Sequence, residues 1–197
     1  MKVKYHYRMQ PVLLAAVLAA GWLLAGNVRE SAAAGRAPKD ADQYKGFLNH
    51  VQDYVRLHKS VEGTLPALKT TDVPELLTAH QQALARKIRE ARPNAKPGNI
   101  FTEEATEALR KVIHHELRGP GGHNARKTIQ QGEPLKIQVE INQPYPDGVP
   151  YTTLPPSLLL KFPKLPPEMA YRIVGHDLIL LDVKASLIVD LVKDLLP

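Results

Sequence analysis

Cysteine is absent from all 197 residues of the chain. This excludes disulfide bonds, thiolate metal sites, a cysteine nucleophile and the lipid-modified cysteine of a bacterial lipoprotein. A domain of this length buries enough apolar surface to fold without cross-links. We therefore expect the hydrophobic core alone to supply the stability.

The sequence also lacks the short motifs that mark common enzyme chemistries. It contains no P-loop, no dinucleotide-binding fingerprint, no G-x-S-x-G elbow, no H-E-x-x-H zinc motif and no EF-hand loop. We therefore predict no cofactor. A non-catalytic binding or structural module is the favoured interpretation.

Long apolar runs are missing too, because the run over Pro11–Gly26 is only 16 residues long. A membrane-spanning helix needs about 20 such residues. The run follows a basic start at Lys2, Lys4 and Arg8, and the small residues Ala32–Ala34 come after it. A basic start, a short apolar run and an A-x-A site are typical of a secretory signal peptide, which we place at 1–34.

Cleavage there would leave one domain of 163 residues, over 35–197. We expect this domain to be exported and to be periplasmic or secreted. The alternative is an uncleaved leader that anchors the domain in the inner membrane, and we expect no membrane contact apart from such a leader.

The expected mature domain has only a modest excess of positive charge. The formal charge of the whole chain is +6, but half of it lies in the leader, which leaves +3 for residues 35–197. A nucleic-acid binder would need a clustered basic excess on one face. We therefore expect no nucleic acid, and an unknown envelope component or protein as the partner.

Proline is unevenly distributed, which divides the domain into two halves. Ten of the 17 prolines lie at or after Pro134. We predict an α+β fold, with a helical half to about residue 118 and a β or extended half from about 133. About three helices should pack on a small, mainly antiparallel C-terminal sheet with proline-rich connections.

Three segments have apolar residues every three or four positions, which predicts amphipathic helices over about 40–61, 72–92 and 102–118. Asp72 and Thr102 are suitable N-cap residues for the second and third helices. His58 ends the apolar stripe of the first helix, so we expect it at the edge of the core.

Alternation of apolar and polar residues over 135–141 predicts a strand with one buried face. Residues 171–174 and 178–183 predict a β-hairpin that turns near Gly175. The segment 187–192 fits a strand or a short helix, and its β-branched pair Ile188–Val189 favours the strand.

Candidate catalytic residues lie in the C-terminal half. His176, Asp177, Asp182 and Asp190 would suit a hydrolase, because two carboxyl groups of unequal pKa are enough for acid-base hydrolysis. Turn and edge positions explain the same residues equally well. An envelope hydrolase is therefore the alternative to the binding module.

Three histidines look like metal ligands at first sight: His114, His115 and His123. Adjacent helical residues diverge by about 100° and cannot converge on one ion from a single helix. We therefore predict no metal site.

A basic cluster near the end of the second predicted helix contains Arg86, Lys87, Arg89 and Arg92. A solvated face is the favoured interpretation. Binding to anionic lipid or glycan is the alternative.

Several motifs resemble a family of exported bacterial proteins to which no activity is assigned. The longest is Y-R-I-V-G-H-D-L-I-L-L-D-V-K over 171–184, followed by L-I-V-D over 187–190. Y-V-R-L-H-K over 54–59, L-R-G-P over 117–120 and P-Y-P-D-G over 144–148 are similar to the same family. The resemblance implies a bacterial origin, export and a layout of helices followed by a hairpin. It implies no catalytic residue.

Overall fold

A computed structural model of the protein describes residues 42–68, 72–130, 139–146, 148–149 and 152–196. It has the predicted α+β fold, with helices preceding a three-stranded antiparallel sheet. After a 3₁₀ turn at Asp42–Tyr44, the helices are α1 (Lys45–Glu62), α2 (Pro74–Ala91), α3 (Glu103–Arg118), α4 (Gly122–Gln130) and α5 (Pro156–Leu159). The strands are β1 (Met169–Val174), β2 (Asp177–Asp182) and β3 (Leu187–Val192).

The first three helices follow the predicted periodicity. α1 buries Phe47, Val51 and His58 on one stripe, and the side chain of Thr102 caps α3 by accepting a hydrogen bond from Ala105 N. The prediction for α2 is wrong at its start, because Val73 is its N-cap and no side chain caps it. Pro74 tolerates this, since its missing N–H needs no partner in a first turn.

Helix α4 is an addition to the three predicted helices. The glycines at 119–122 end α3 as expected, but a new helix begins at Gly122 and extends the helical half to Gln130. A Cβ atom at Gly122 would overlap the carbonyl of Leu117. Glycine is therefore required for α4 to start directly against the end of α3.

The sheet has the strand order β1-β2-β3, and both connections are hairpins. Gly175 adopts a φ of 59° in the first turn, a conformation that glycine reaches without steric cost. The prediction of a strand over 187–192 is confirmed.

Both faces of the sheet are buried. One face packs on the helices through residues such as Ile173, Leu178 and Leu180. The other face, with Ile179 and Leu181, packs beneath the segment that contains Val139 and Tyr145. This explains why β2 reads as a continuous apolar run and does not alternate.

Irregular segments cover both edges of the sheet. Residues 142–145 hydrogen-bond along β3 through Asn142 N to Ile188 O and Ile188 N to Gln143 O, and Thr152 pairs with Ile173 of β1. Of the predicted strand 135–141, residues 135–138 lie outside the described residues, and 139–141 form no strand. Backbone pairing with β3 begins just after this segment, at Asn142.

Among the helices of the described residues, none has the length and apolar character needed to cross a membrane.

Candidate functional site

Two of the predicted acidic residues, Asp182 and Asp190, are fully buried. Asp182 ends β2 and contacts α1, where Tyr54 Oη donates to its Oδ2 at 2.6 Å and His58 Nδ1 lies 2.5 Å from the same oxygen. Its Oδ1 accepts from Ala185 N at 2.9 Å. Asp182 therefore joins the sheet to α1.

Asp182 shifts the pKa values of both of its α1 partners. Burial lowers the pKa of His58, but the hydrogen bond and charge of Asp182, together with the charge of Glu62, outweigh burial and leave that pKa raised. Burial and Asp182 also raise the pKa of Tyr54 well above its usual range, so its phenol stays protonated and donates. His58 Nε2 has no hydrogen-bond partner among the described residues and lies 3.5 Å from Glu62 Oε2.

Asp190 of β3 has a different set of partners, all of them backbone N–H groups. Its oxygens accept from Gly98 N at 3.0 Å, Ile100 N at 2.6 Å, Phe101 N at 2.8 Å and Leu191 N at 2.8 Å. Burial raises the pKa of Asp190, and the four donors oppose that shift. The residue anchors the loop that leads into α3.

The hairpin turn places His176 and Asp177 away from both buried carboxylates. Asp177 and Asp182 lie at opposite ends of β2, five residues or about 16 Å apart. Asp177 Oδ1 accepts from Asp194 N at 3.0 Å, and His176 exchanges two contacts with Leu196, through its backbone oxygen and its Nδ1. The structure therefore does not bring the four predicted catalytic residues together. The turn instead holds the segment 194–196.

That segment forms one wall of a recess of about 410 Å³, the arginine recess. Its lining comprises Arg110, Ile113, His114, Leu117, Arg118, Arg126, Asp194, Leu195 and Leu196. Arg110, His114 and Arg118 recur every four residues along α3, so they share one face of that helix. Arg126 comes from α4, and aliphatic side chains form the floor.

The recess carries an excess of positive charge, because three arginines line it against one acidic residue, Asp194. No carboxylate of the described residues lies within salt-bridge distance of Arg110, Arg118 or Arg126. Two of these guanidinium groups donate to backbone carbonyls, Arg110 to Asp194 O and Arg126 to Leu117 O. These contacts orient the cations without cancelling their charge.

A larger recess of about 830 Å³ lies between α1 and α2, and its cations are paired. Lys59 Nζ lies 3.1 Å from Glu168 Oε1, and Lys184 Nζ lies 2.9 Å from Glu62 Oε1. This second recess has no comparable excess of positive charge.

The three candidate metal ligands do not meet. His114 lines the arginine recess, His115 lies 3.7 Å from a carboxylate oxygen of Glu116, and His123 is exposed on α4. Within the described part of the chain, no three histidine or acidic side chains are grouped so that they could hold an ion.

The basic cluster of α2 is also divided. Arg92 is not solvated as predicted: its guanidinium lies 5.1 Å from the ring centroid of Tyr54 and donates to Val189 O. Arg86 and Arg89 remain at the surface and line a shallow polar recess with Asn142.

Comparisons of the chain with protein-family models, with curated proteins and with solved structures find no match.

Sequence reasoning missed the arginine recess, although one signal for it was present. The four-residue spacing of Arg110, His114 and Arg118 is visible in the sequence and marks one basic helix face. The contributions of α4 and of residues 194–196 depend on tertiary contacts that leave no local pattern.

Proposed function

We propose that this protein is an exported binding module without catalytic activity, and that its arginine recess holds an anionic amphiphile. The observation that carries the proposal is the set of three arginines, unpaired by carboxylates of the described residues, around an aliphatic floor. A ligand for this recess must pair with the arginines and must also cover the aliphatic side chains. A ligand with an acidic head and a hydrocarbon body meets both.

The chemistry of guanidinium supports an acidic head group. Arginine presents planar, permanently charged donors that match carboxylate and phosphate oxygens in pairs. Arg118 has no hydrogen bond to another described residue, so its donors are available to a ligand. The volume of about 410 Å³ lies within the usual range of small-molecule sites.

The burial of Asp182 and Asp190 supports a non-catalytic function. Both carboxylates have no exposed surface, and each already accepts hydrogen bonds at both oxygens. A hydrolase that used either of them would have to open the core to admit its substrate. The hydrolase alternative therefore gains no support from the geometry.

The proposal of export rests on the leader at 1–34 and on the resemblance of the quoted motifs to a family of exported bacterial proteins. N-terminal sequencing of protein recovered from its native host tests export. We expect the recovered protein to start near Gly35. An intact Met1 in the membrane fraction would contradict cleavage and favour a leader that anchors the domain.

Binding in the recess can be tested by calorimetry with dodecanoate below its micelle-forming concentration. We expect saturable binding, and little or none with dodecyltrimethylammonium, which has the same chain and the opposite charge. Arg118→Gln should weaken dodecanoate binding about tenfold, since a hydrogen bond to a charged group contributes about 1.5–3 kcal/mol. Arg118→Lys, which keeps the charge, should recover part of the loss.

Arg86→Gln is the matched control, because it removes the same charge from the surface of α2. Equal weakening by Arg86→Gln and Arg118→Gln would mean that the effect comes from net charge alone. Equal affinity for the cationic amphiphile would contradict the proposal outright.

A further inference from the structure

The most exposed large apolar side chain in the described part of the molecule is Leu160, at 85%, and its neighbour Leu159 is 53% exposed. Together they form the α5 tip. Leu158, the preceding residue, is fully buried in the main core and fixes the base of this tip. Two adjacent leucines therefore project from a site that is anchored immediately beside them.

The backbone of the α5 tip is held in place by hydrogen bonds. Leu159 N donates to Pro155 O and Leu160 N donates to Pro156 O, both at 3.0 Å. The two prolines restrict φ on the preceding side. The tip is a preformed projection, so little conformational entropy is lost when it inserts into a partner.

Two lysines lie close to the α5 tip along the chain. Lys161 comes directly after the tip, Lys164 follows three residues further on, and both are exposed. Lys161 Nζ lies 4.0 Å from Glu116 Oε1, which places the tip beside the C-terminal end of α3.

We propose that the α5 tip docks on an anionic lipid bilayer, with Leu159 and Leu160 in the interface and Lys161 and Lys164 against the head groups. The proposal is independent of the ligand of the arginine recess. It adds a membrane contact that does not involve the leader.

The shape of the tip favours a bilayer over an acidic protein. A protein partner would have to supply a pocket complementary to a projecting pair of leucines. A bilayer interface accepts an apolar projection of any shape and attracts cations through its anionic head groups.

The absence of cysteine allows a local test. Leu160→Cys, labelled with the environment-sensitive fluorophore NBD, reports whether the tip leaves water. With phosphatidylglycerol vesicles we expect a blue-shifted, brighter emission, and with phosphatidylcholine vesicles a much weaker change. Since the signal comes from position 160, a contribution of the N-terminal segment to overall binding does not imitate it.

Leu76→Cys with the same label is the matched control, because Leu76 is a leucine of α2 that is 52% exposed. Its emission should stay that of an aqueous site. Lys161→Gln and Lys164→Gln should each raise the lipid concentration for half-maximal change at position 160 about fivefold. High salt should do the same.

Three outcomes would overturn the proposal: an unchanged spectrum at position 160, equal changes at positions 76 and 160, or equal changes with both lipids. Polyglutamate that shifts the emission at 160 as strongly as the vesicles would indicate an acidic protein partner in place of the bilayer. Dodecanoate binding should be unaffected by Leu160→Cys, which separates this proposal from the one on the recess.

Discussion

Asp182 and Asp190 are equally buried and lie on neighbouring strands, yet they are stabilised in different ways. Asp182 is bound mainly by two ionisable side chains of α1, Tyr54 and His58. Asp190 is bound by four backbone N–H groups, three of them from one loop. A carboxylate held by side chains depends on their protonation, whereas one held by the backbone depends on the path of a loop. The first should therefore be sensitive to pH and the second to substitution.

The largest effect is expected from Asp190→Asn. The amide group presents only one oxygen, so two backbone donors would face an NH₂ group instead of an acceptor. Each buried donor left unsatisfied costs about 1–3 kcal/mol, and we expect a total loss of about 3–5 kcal/mol of unfolding free energy. Urea denaturation measures it. A loss below 1 kcal/mol would mean that the loop at 98–101 adapts to the amide.

Leu180→Ala provides an apolar reference for that loss, because Leu180 pairs with Asp190 in the sheet and is fully buried. Removing its side chain leaves a cavity between the sheet and the helices. We expect a cost of about 2–5 kcal/mol in the same denaturation experiment. A much smaller cost would show that the contact between sheet and helices is looser than its burial indicates.

The pH dependence tests the side-chain arrangement around Asp182. The raised pKa of His58 means that the folded protein holds this proton more tightly than the unfolded chain does. The stability that this proton provides is complete below 6.5, the ordinary pKa of histidine. It is lost as the pH rises through the higher pKa that His58 has in the folded protein. Unfolding free energy should therefore decline as the pH rises above about 6.5.

His58→Gln should be less stable than the parent and should lack that part of the decline. Glu62 also faces His58, and the hydrogen bond and charge of Lys184 lower its pKa, so it stays charged over this pH range in both proteins. Parallel pH profiles for the parent and His58→Gln would contradict the assignment of the decline to this residue.

The smallest effect on stability is expected at the hairpin turn. Asp177→Ala removes the acceptor for Asp194 N at an exposed site, which should cost less than about 1 kcal/mol. The same change removes a contact that holds residues 194–196, which form one wall of the arginine recess. Dodecanoate affinity should therefore fall more than stability does. Asp177→Asn keeps an oxygen at the same position and serves as the control. Unchanged affinity in Asp177→Ala would remove the turn from the binding site.

Local patterns in the sequence predicted much of the fold. Apolar spacing found α1 and α3, the hydroxyl of Thr102 marked a helix start, and the β-branched pair Ile188–Val189 favoured β3 correctly. In each case the deciding interactions lie within a few residues along the chain, where helix and strand periods are visible.

The surroundings of the candidate catalytic residues could not be predicted from local patterns. Asp182 and His58 are 124 positions apart, and Asp190 lies about 90 positions from the loop that it binds. Nothing in the local sequence distinguishes a buried, fully bonded aspartate from a catalytic one. Helix α4 was also missed, because the Gly-Pro-Gly-Gly segment at 119–122 was interpreted only as the end of α3. Gly122 also starts the next helix, since its missing side chain allows a close approach to Leu117.

The order of elements along the chain has a consequence for biosynthesis. The helices with their apolar stripes are synthesised first, and the strands that cover those stripes lie at 169–192, near the end of the described chain. Both hydrophobic clusters include residues of these strands, so neither can close until the segment 169–192 has been synthesised.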